Sequence, residues 1–332
     1  MTALPLVIVN PVAAGGKTAH RWPAMASAMR AHFGPFECTF TEAPGHATGI
    51  AEREARAGRR LIIACGGDGT VSEVVNGIVA SGEPSELGVL PSGTGGDFRR
   101  TLGIPARASA AAAALRGGKA RRIDLGRVTY VNGAGDGESR YFLNVASFGL
   151  SGEVVRSVAE RAARRAVTGA IGGGLLSGAA SYAIATLRAW PRYTAPAIEL
   201  EMDGDAPVRL LAANICIANA RYFGGGMKIA PTAEVDDGQL DVVAIRDMGT
   251  IAMIARSPRL YFGTHLRMDG VHHRLASRIT VRRVNGGALV ALEVDGELVG
   301  RVPATFEVVP GALWVRWPQA PNAPAPRNRS RM

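Results

Sequence analysis

Three glycine-rich turns, each at the end of a short apolar run, carry the residues of this sequence that could do chemistry. They read LVIVNPVAAGGKT from residue 6, LIIACGGDGTVSE from residue 61 and LGVLPSGTGGDF from residue 87. Glycine lets backbone N–H groups approach a phosphate closely, and the N-terminus of a following helix favours negative charge. Each turn alone is compatible with an ordinary strand-to-helix connection. Together they predict a site for a phosphate-rich ligand, because such turns meet at the carboxyl edge of a parallel sheet.

Two of these turns contain a carboxylate, Asp68 in the second and Asp97 in the third. A carboxylate at a phosphate site repels its ligand unless it holds Mg²⁺ or takes up a proton, and both roles fit phosphoryl transfer. The structural alternative is that each aspartate only caps the helix that follows. The sequence contains neither a Walker A motif nor a GxGxxG fingerprint, which argues against a P-loop NTPase or a Rossmann dehydrogenase.

The elements that must hold the turns fall into two groups. Residues 1–122 alternate apolar strands with helical patterns and predict an α/β nucleotide-binding domain with a largely parallel sheet. Residues 123–317 are rich in strand-like runs and predict a β-sandwich domain, interrupted by a helical segment over 153–190. Within it, Arg140–Ser147 is predicted as one strand, and Thr305–Val309 and Leu313–Trp317 as two. Residues 318–332 have the composition of a disordered tail.

The 332 residues carry a net charge of +10, which favours anionic partners such as nucleotides and anionic lipid headgroups. No nucleic-acid-binding motif is present, so we expect no nucleic acid partner. The three cysteines are scattered and predict neither a disulfide framework nor a CxxC metal pair. Residues 166–187 are uncharged but rich in glycine, serine and threonine, so we expect a cytoplasmic protein without a membrane span.

The motifs resemble, in order, those of the diacylglycerol kinase catalytic domain of bacterial soluble lipid kinases, a domain that sphingosine and ceramide kinases share. The matching stretches are VNPVAAGG, GGDGT followed by VSEVVNG, LPSGTGGDF, GGGMKIAPTAEVDDGQLDVV and LEVDGELV. GGDGT alone also occurs in NAD kinases, whereas the ordered set is far more specific. The resemblance implies that ATP binds between an α/β domain and a β-sandwich. The residues implied to contact ATP are Asn10, Pro11, Thr41, Gly66, Gly67, Asp68, Gly69, Thr70, Val71, Ser72, Gly93 and Thr94.

The resemblance also implies roles for three carboxylates and a metal site. Glu297 would be the general base and Asp68 would organise Mg²⁺ and phosphate, although the reverse assignment of the base to Asp68 stays open; Asp97 is the third candidate catalytic residue. A structural Mg²⁺ is implied in the second domain, at Asp237 and main-chain oxygens near Glu234 and Gln239. Read from the residues alone, that segment is an ordinary turn and Glu297 simply follows an Asp-Gly hairpin.

We therefore expect an ATP-dependent lipid kinase that phosphorylates a lipid hydroxyl, with diacylglycerol as the favoured acceptor. A sphingoid-base or ceramide kinase, an NAD kinase, and a non-catalytic regulator that binds lipid or nucleotide are the alternatives. The third turn has Gly96 where the family usually has asparagine, which removes an amide that could orient the nucleotide. Arginines around the 153–190 segment predict peripheral contact with an anionic membrane surface. The sequence is also compatible with a homodimer.

Overall fold

A computed structural model describes residues 3–93, 95–156, 193–246, 252, 255–284 and 289–319. It contains a mixed α/β N-terminal region followed by a sheet-rich C-terminal region, as the sequence predicts. The segment predicted as helical over 153–190 and the tail predicted as disordered lie outside the described residues, except at 153–156, which are helical, and at 318–319. Among the described helices, none is long and apolar enough to cross a membrane.

The N-terminal layer is a parallel sheet with the order β2-β1-β3-β4. Its strands are β1 (Leu6–Val9), β2 (Glu37–Phe40), β3 (Leu61–Gly66) and β4 (Glu86–Pro91). All residues of β1 and β3 are buried, which is why these strands are apolar runs rather than alternating ones. The parallel order brings the carboxyl ends of β1, β3 and β4 to one edge of the sheet.

The helices of this layer follow the glycine-rich turns or connect the strands. They are α1 (Lys17–His32), α2 (His46–Arg56), α3 (Asp68–Ser81), α4 (Asp97–Leu102) and α5 (Ala108–Gly117). The helix α3 begins immediately after β3 and buries its apolar face, including Val71, Val74 and Val75, in the core of this layer. It also packs against α2, whose backbone approaches closely because Gly77 has no side chain: a Cβ there would lie 2.3 Å from the carbonyl oxygen of Thr48.

The described part of the C-terminal region is built mostly from strands. They are β5 (Lys119–Val131), β6 (Gly137–Phe142), β7 (Val145–Gly149), β8 (Ala197–Met202), β9 (Val208–Ala218), β10 (Leu240–Arg246), β11 (Val271–Ala276), β12 (Arg278–Arg283), β13 (Ala291–Val294) and β14 (Glu297–Trp317), with a short helix α6 (Pro258–Phe262). Pairings between β14, β12, β8, β9, β7 and β13 return to β14 and enclose an apolar core. Phe148 and Phe306 stack inside it, with ring centroids 6.1 Å apart. This arrangement forms the sheet-rich second region that the sequence predicts.

The long strand β14 joins the two regions into one sheet. It pairs with β13 at its start, with β12 and β5 along its length, and in parallel with β4 at Trp314 and Val315. The domain boundary predicted at 122/123 falls inside β5, which pairs with β14 from Lys119 onward. The two regions therefore share backbone hydrogen bonds as well as a packed interface.

Two of the predicted strand assignments were wrong. The stretch 140–147 is not one strand, because β6 ends at Phe142 and β7 begins at Val145. The cause is the partly buried Asp295, whose carboxylate accepts the N–H groups of residues 143–145 and diverts the chain. Conversely, the two strands predicted over 305–317 are parts of β14, which crosses Pro303 and Pro310 through local register shifts in its pairing with β5.

Candidate active site

The three glycine-rich turns meet at the carboxyl edge of the N-terminal sheet. Asn10, after β1, donates from its side-chain amide to Thr70 Oγ1 on α3 at 2.9 Å. Gly93, after β4, lies so close to the second turn that a Cβ on it would be 2.5 Å from the Cα of Gly67. The glycines are therefore required by the packing of the turns against each other, in addition to any ligand.

Beside these turns lies an open cleft of about 570 Å³. Eight of the predicted ATP contacts line it: Asn10, Pro11, Thr41, Gly67, Asp68, Gly69, Thr70 and Gly93. The predicted base Glu297, from the second region, also lines it. The other described lining residues are Val12, Ala13, Ala14, Glu42, Ala43, Pro44, Glu73 and Gly95. Its volume lies in the range of small-molecule sites. Nine of the seventeen described lining residues are ones that the sequence singled out, whereas the stretch from Glu42 to Pro44 carried no signal in the sequence.

Three predicted contacts lie beneath the cleft surface. Gly66 ends the buried strand β3, and a Cβ on it would lie 2.4 Å from Thr70 Oγ1. Val71 and Ser72 are buried in the first turn of α3, at 3% and 1% exposure. These three residues shape the turn and are not among the residues that line the cleft. Thr94 lies outside the described residues.

Asp68 opens α3 and at the same time holds the third turn. One carboxylate oxygen accepts the N–H of Asp97 and the other accepts the N–H of Phe98, both at 3.1 Å. These are the first two N–H groups of α4, so Asp68 caps that helix from a distant part of the chain. Its carboxylate also lines the cleft, and a Cβ on Gly95 would lie 2.8 Å from Asp68 Oδ2. Asp68 therefore caps α4 rather than the helix that follows it, α3, which has no side-chain cap, and Asp68 still lines the cleft.

Asp97 has a different position from the one that a catalytic role suggests. It is buried, is not among the residues lining the cleft, and accepts hydrogen bonds from Arg100 Nη1 and from the backbone N–H of Gly225, each at 2.8 Å. Burial raises the pKa of Asp97 to about 6, with a further contribution from Asp68, although the Gly225 N–H and Arg100 favour its charged form. Asp97 thus links α4 of the N-terminal layer to a loop of the C-terminal region.

Gly96 precedes α4 with a φ of 66° and ψ of 44°, in the left-handed region. Glycine and asparagine are the two residues that adopt this conformation most readily, so the family's usual asparagine and this glycine suit the same backbone. A Cβ at this position would lie 2.8 Å from Arg99 Nε, the end of a flexible side chain.

Glu297 is carried by a tight hairpin between β13 and β14. Asp295 and Gly296 form its turn with φ values of 49° and 90°, and Val294 pairs with Glu297 across it. Two residues with positive φ are the signature of a type I′ turn, so the hairpin predicted from Asp-Gly is confirmed. The turn brings Glu297 against the second glycine-rich turn: a Cβ on Gly69 would lie 3.5 Å from Glu297 Oε1.

Two carboxylates, one partly buried and one buried, fix that hairpin. Asp295 accepts the N–H groups of three consecutive residues at 2.9–3.2 Å, namely Leu143, Asn144 and Val145. Glu293, at 4% exposure, accepts the N–H of Gly296 at 2.6 Å and hydrogen-bonds Ser147 through its other oxygen. Burial raises the pKa of Glu293 to about 7, against the effect of Ser147 and the Gly296 N–H. The position of Glu297 is therefore set by polar groups behind the turn.

Arg140 on β6 contacts the other side of Glu297, with Arg140 Nη2 2.7 Å from Glu297 Oε2. Both residues also line a second cavity of about 360 Å³, which shares Pro44, Glu73 and Glu297 with the larger cleft. Sequence reasoning missed Arg140 and Glu293. The only signal for Glu293 was a carboxylate inside an otherwise apolar strand two residues before the hairpin, and Arg140 had none.

The predicted metal segment lies on the turn before β10, away from the cleft lining. Asp237 Oδ1 accepts the N–H of Gln239 at 3.0 Å. Burial raises the pKa of Asp237, and the carboxylates of Asp241, Glu234 and Asp124 raise it further. Negative charge of this kind suits a cation. Within the described residues no group of three or more metal-ligating side chains occurs, so the site, with one carboxylate and main-chain oxygens, stays a prediction.

The charge of the cleft bears on what it could hold. Its described lining contains the carboxylates of Glu42, Asp68, Glu73 and Glu297, and no lysine, arginine or histidine. The N-termini of α1 and α3 lie at its turns and offer backbone N–H groups, which favour phosphate. A polyphosphate among four carboxylates also needs a counter-cation, so the donor set fits a nucleotide that arrives with Mg²⁺.

Comparisons with known proteins identify the family of the chain. Residues 5–128 match the family described as diacylglycerol kinase catalytic domain, and residues 153–316 match the YegS C-terminal NAD kinase beta sandwich-like domain. The chain is 30% identical over 268 residues to a diacylglycerol kinase of Bacillus subtilis, covering 80% of each protein. It is 29% identical over 276 residues to one of Staphylococcus saprophyticus, covering 80% of this chain and 79% of that protein.

Solved structures show the same fold. A crystal structure of a diacylglycerol kinase from Bacillus anthracis superposes with a TM-score of 0.68 at 23% identity, covering 95% of this chain and 96% of the other. A second structure from that organism reaches a TM-score of 0.72 at 25% identity, covering 95% and 97%. The match extends over both regions, so the α/β layer and the sheet-rich region occur together in these proteins as well.

Proposed function

The chain belongs to the diacylglycerol kinase family of lipid kinases, and from this premise we propose that it transfers the γ-phosphate of ATP to the free hydroxyl of diacylglycerol. One observation carries the proposal: the hairpin carboxylate Glu297 lies against the glycine-rich turn at Gly69, on the edge of a cleft large enough for a nucleotide. A proton acceptor beside a phosphate-binding turn is what phosphoryl transfer to a hydroxyl requires.

In this proposal the glycine-rich turns bind the phosphates of ATP. The backbone N–H groups at the starts of α3 and α1 project from the N-terminal ends of these helices, where the helix dipole favours negative charge. Asn10 and Thr70, which hydrogen-bond each other at 2.9 Å, hold the first two turns in a fixed relation. The binding energy is thus used to orient the terminal phosphate, which accounts for much of the catalysis in kinases.

Glu297 is proposed as the general base. It accepts the proton of the lipid hydroxyl as that oxygen attacks the γ-phosphorus. The carboxylates of Asp295 and Glu293, which hydrogen-bond the backbone around the hairpin, keep the Glu297 carboxylate in place and reduce the reorganisation needed during transfer. Asp97 lies outside this geometry, and we propose for it the linking role that its hydrogen bonds describe.

Asp68 is proposed to hold the Mg²⁺ that accompanies ATP, which would neutralise phosphate charge when bound. The hydrogen bonds that Asp68 accepts from α4 leave lone pairs on both of its oxygens. A second, structural Mg²⁺ is proposed at Asp237, with main-chain oxygens near Glu234 and Gln239.

The acceptor lies in a bilayer, so we propose that the protein acts from the cytoplasm by peripheral contact with an anionic membrane surface. The net charge of +10 supports this contact. The arginines that the sequence singles out for it, Arg161, Arg164 and Arg165, lie outside the described residues, and Arg156 pairs with Glu153.

The experiment is a kinase assay with radiolabelled ATP against a lipid panel in mixed micelles, with mass identification of the product. We expect phosphatidic acid from diacylglycerol, with lower rates on monoacylglycerol, sphingosine and ceramide, and no phosphate transfer to NAD. Transfer to ceramide or sphingosine in preference to diacylglycerol would reassign the substrate. Transfer to NAD with no lipid product would establish the NAD kinase alternative, and no ATP consumption with any acceptor would leave a binding protein.

A further inference from the structure

The second cavity, of about 360 Å³, adjoins the cleft and is walled by α2, α3, β6 and the Glu297 hairpin. Seven of its nine described lining residues are polar or charged, among them Thr48, Asn76, Ser139 and Arg140. Such a lining suits a hydroxylated or charged group and is poorly suited to acyl chains.

Glu297 is the functional link between the two cavities, because its side chain lines both. A general base must touch the hydroxyl that attacks, and the γ-phosphate must lie on the other side of that hydroxyl. If the nucleotide fills the larger cleft, the acceptor has to reach Glu297 from the smaller cavity.

Arg140 is the one cation among the described residues that line either cavity. Its guanidinium lies 2.7 Å from Glu297 Oε2, and its side chain is 21% exposed. The other polar side chains here already have partners. The amide of Asn76 bonds the backbone of Ser72 and Tyr141, and both oxygens of Glu73 accept N–H groups at the start of α2.

We propose that this second cavity receives the hydroxyl-bearing headgroup of the lipid acceptor, and that Arg140 binds the phosphomonoester formed there. The inference rests on the proposed kinase function and names the acceptor side of that same site. Its ligand class is a neutral glycerol-type alcohol before transfer and the corresponding phosphate monoester after it.

The positive charge of Arg140 stays balanced because its anionic partner changes from the Glu297 carboxylate to the product phosphate. Before transfer Arg140 pairs with the Glu297 carboxylate. During transfer the acceptor O–H proton moves to Glu297, a bond forms between that oxygen and the γ-phosphorus, and the bond from the γ-phosphorus to the ADP oxygen breaks, its electron pair leaving with ADP. Glu297 is then neutral while a dianionic phosphate has appeared beside it, so Arg140 loses one anion and gains another within its reach.

Without Arg140 the new phosphate would face carboxylates with no cation among the described residues that line the cavity. Glu138 lines the same cavity, and Glu73 lies in its wall. The arginine therefore stabilises the charge as it moves from Glu297 to the product, and it contributes more to the transition state and product than to the neutral acceptor.

The test compares Arg140→Met and Arg140→Lys with Arg127→Met as the matched control. Arg127, on the neighbouring strand β5, forms a similar arginine–glutamate pair with Glu307 at 2.6 Å but does not line either cavity. Measured are kcat, the KM values for ATP and dioctanoylglycerol, and inhibition by dioctanoyl phosphatidic acid. The binding of that phosphatidic acid to the ADP complex is measured separately by calorimetry.

For Arg140→Met we expect kcat to fall and the product dissociation constant to rise, each about tenfold or more, since one side of a charge pair is lost. The KM for ATP should change less than about threefold, because the arginine lies outside the larger cleft. Lysine should recover part of the product binding. The control should match the wild type.

An unchanged product dissociation constant in Arg140→Met, or an equal effect in Arg127→Met, overturns the inference. If the melting temperature shows that Arg140→Met does not fold, Arg140→Lys takes its place, and an unchanged product dissociation constant in that variant overturns the inference. The calorimetric arm separates the two levels of proposal: a wild type that phosphorylates no lipid refutes the kinase function, whereas an active wild type whose product binding ignores Arg140 refutes only the acceptor site.

Discussion

Replacing Glu293 with glutamine should make the protein more stable at neutral pH while leaving its shape unchanged. The glutamine is nearly isosteric, its oxygen can still accept the N–H of Gly296, and its amide can donate to Ser147 Oγ. What disappears is a buried charge. In the wild type, burial raises the pKa of Glu293 from 4.5 to about 7.

The sign and size of the stability change follow from the difference between the pKa of Glu293 in the folded and in the unfolded protein. Between pH 4.5 and about 7 the folded protein keeps a proton on Glu293 that the unfolded chain has released. The contribution of Glu293 to stability is therefore greatest below pH 4.5 and is lost as the pH rises through the window from 4.5 to about 7. At 1.36 kcal/mol per pH unit, the interval amounts to about 3 kcal/mol. Glutamine does not titrate, so the variant should gain about that much on the wild type from the bottom of the window to above it.

The assay is urea unfolding of both proteins at a series of pH values spanning the window, read as the difference in free energy of unfolding. Glu307→Gln is the control, because hydrogen bonding by Arg127 lowers the pKa of Glu307. The contribution of Glu307 to stability is complete above its ordinary pKa and is lost only as the pH falls through its lower pKa in the folded protein. The difference in free energy of unfolding between Glu307→Gln and the wild type should therefore not change between pH 4.5 and about 7. A flat difference for Glu293→Gln as well would show that Glu293 is not held as a buried, raised-pKa carboxyl.

Four further predictions concern the site. Asp68→Asn should lower turnover by orders of magnitude and, because an amide nitrogen cannot accept one of the two N–H groups of α4, should cost about 1 kcal/mol of stability; normal turnover would exclude the role. Glu297→Gln should depress kcat far more than ATP affinity, and loss of ATP binding at an unchanged maximal rate would contradict the assignment of the base. Asp237→Asn should lower the melting temperature, and chelator should reproduce this only in the wild type; a melting temperature indifferent to both would remove the metal site. Gly96→Asn should keep the melting temperature, since asparagine tolerates the left-handed backbone, and should lower the KM for ATP if the missing amide orients the nucleotide; an unchanged KM would deny that role.

Local patterns were enough to predict the parts of the site that the backbone fixes. Buried runs such as Leu61–Gly66, each followed by glycines, predict parallel strands whose turns meet, and Asp295-Gly296 predicts its hairpin, since only a few residues adopt both positive φ values. The confirmed fold class rests on these signals. They act over a few residues, so a single sequence contains them in full.

The remaining features depend on pairs of residues far apart in the chain. Arg140 meets Glu297 across 157 positions, and neither residue alone differs from a solvated strand residue. Similarly, the end of β6 is caused by Asp295, about 150 residues away, which no local propensity records. Asp97 was recognised by its residue type, but its position was not predicted, because it hydrogen-bonds Gly225 in a loop of the other region.

The shared strand β14 has a consequence for how the protein is made. The nucleotide-binding layer is complete only when Trp314 and Val315 pair with β4, and Arg316 then forms an ion pair with Glu86 at 2.6 Å. A ribosome synthesises β4 more than two hundred residues before this partner, so during translation the apolar strand β4 presents an open edge. The nascent chain would thus be most in need of chaperone protection when nearly all of its catalytic residues have already emerged.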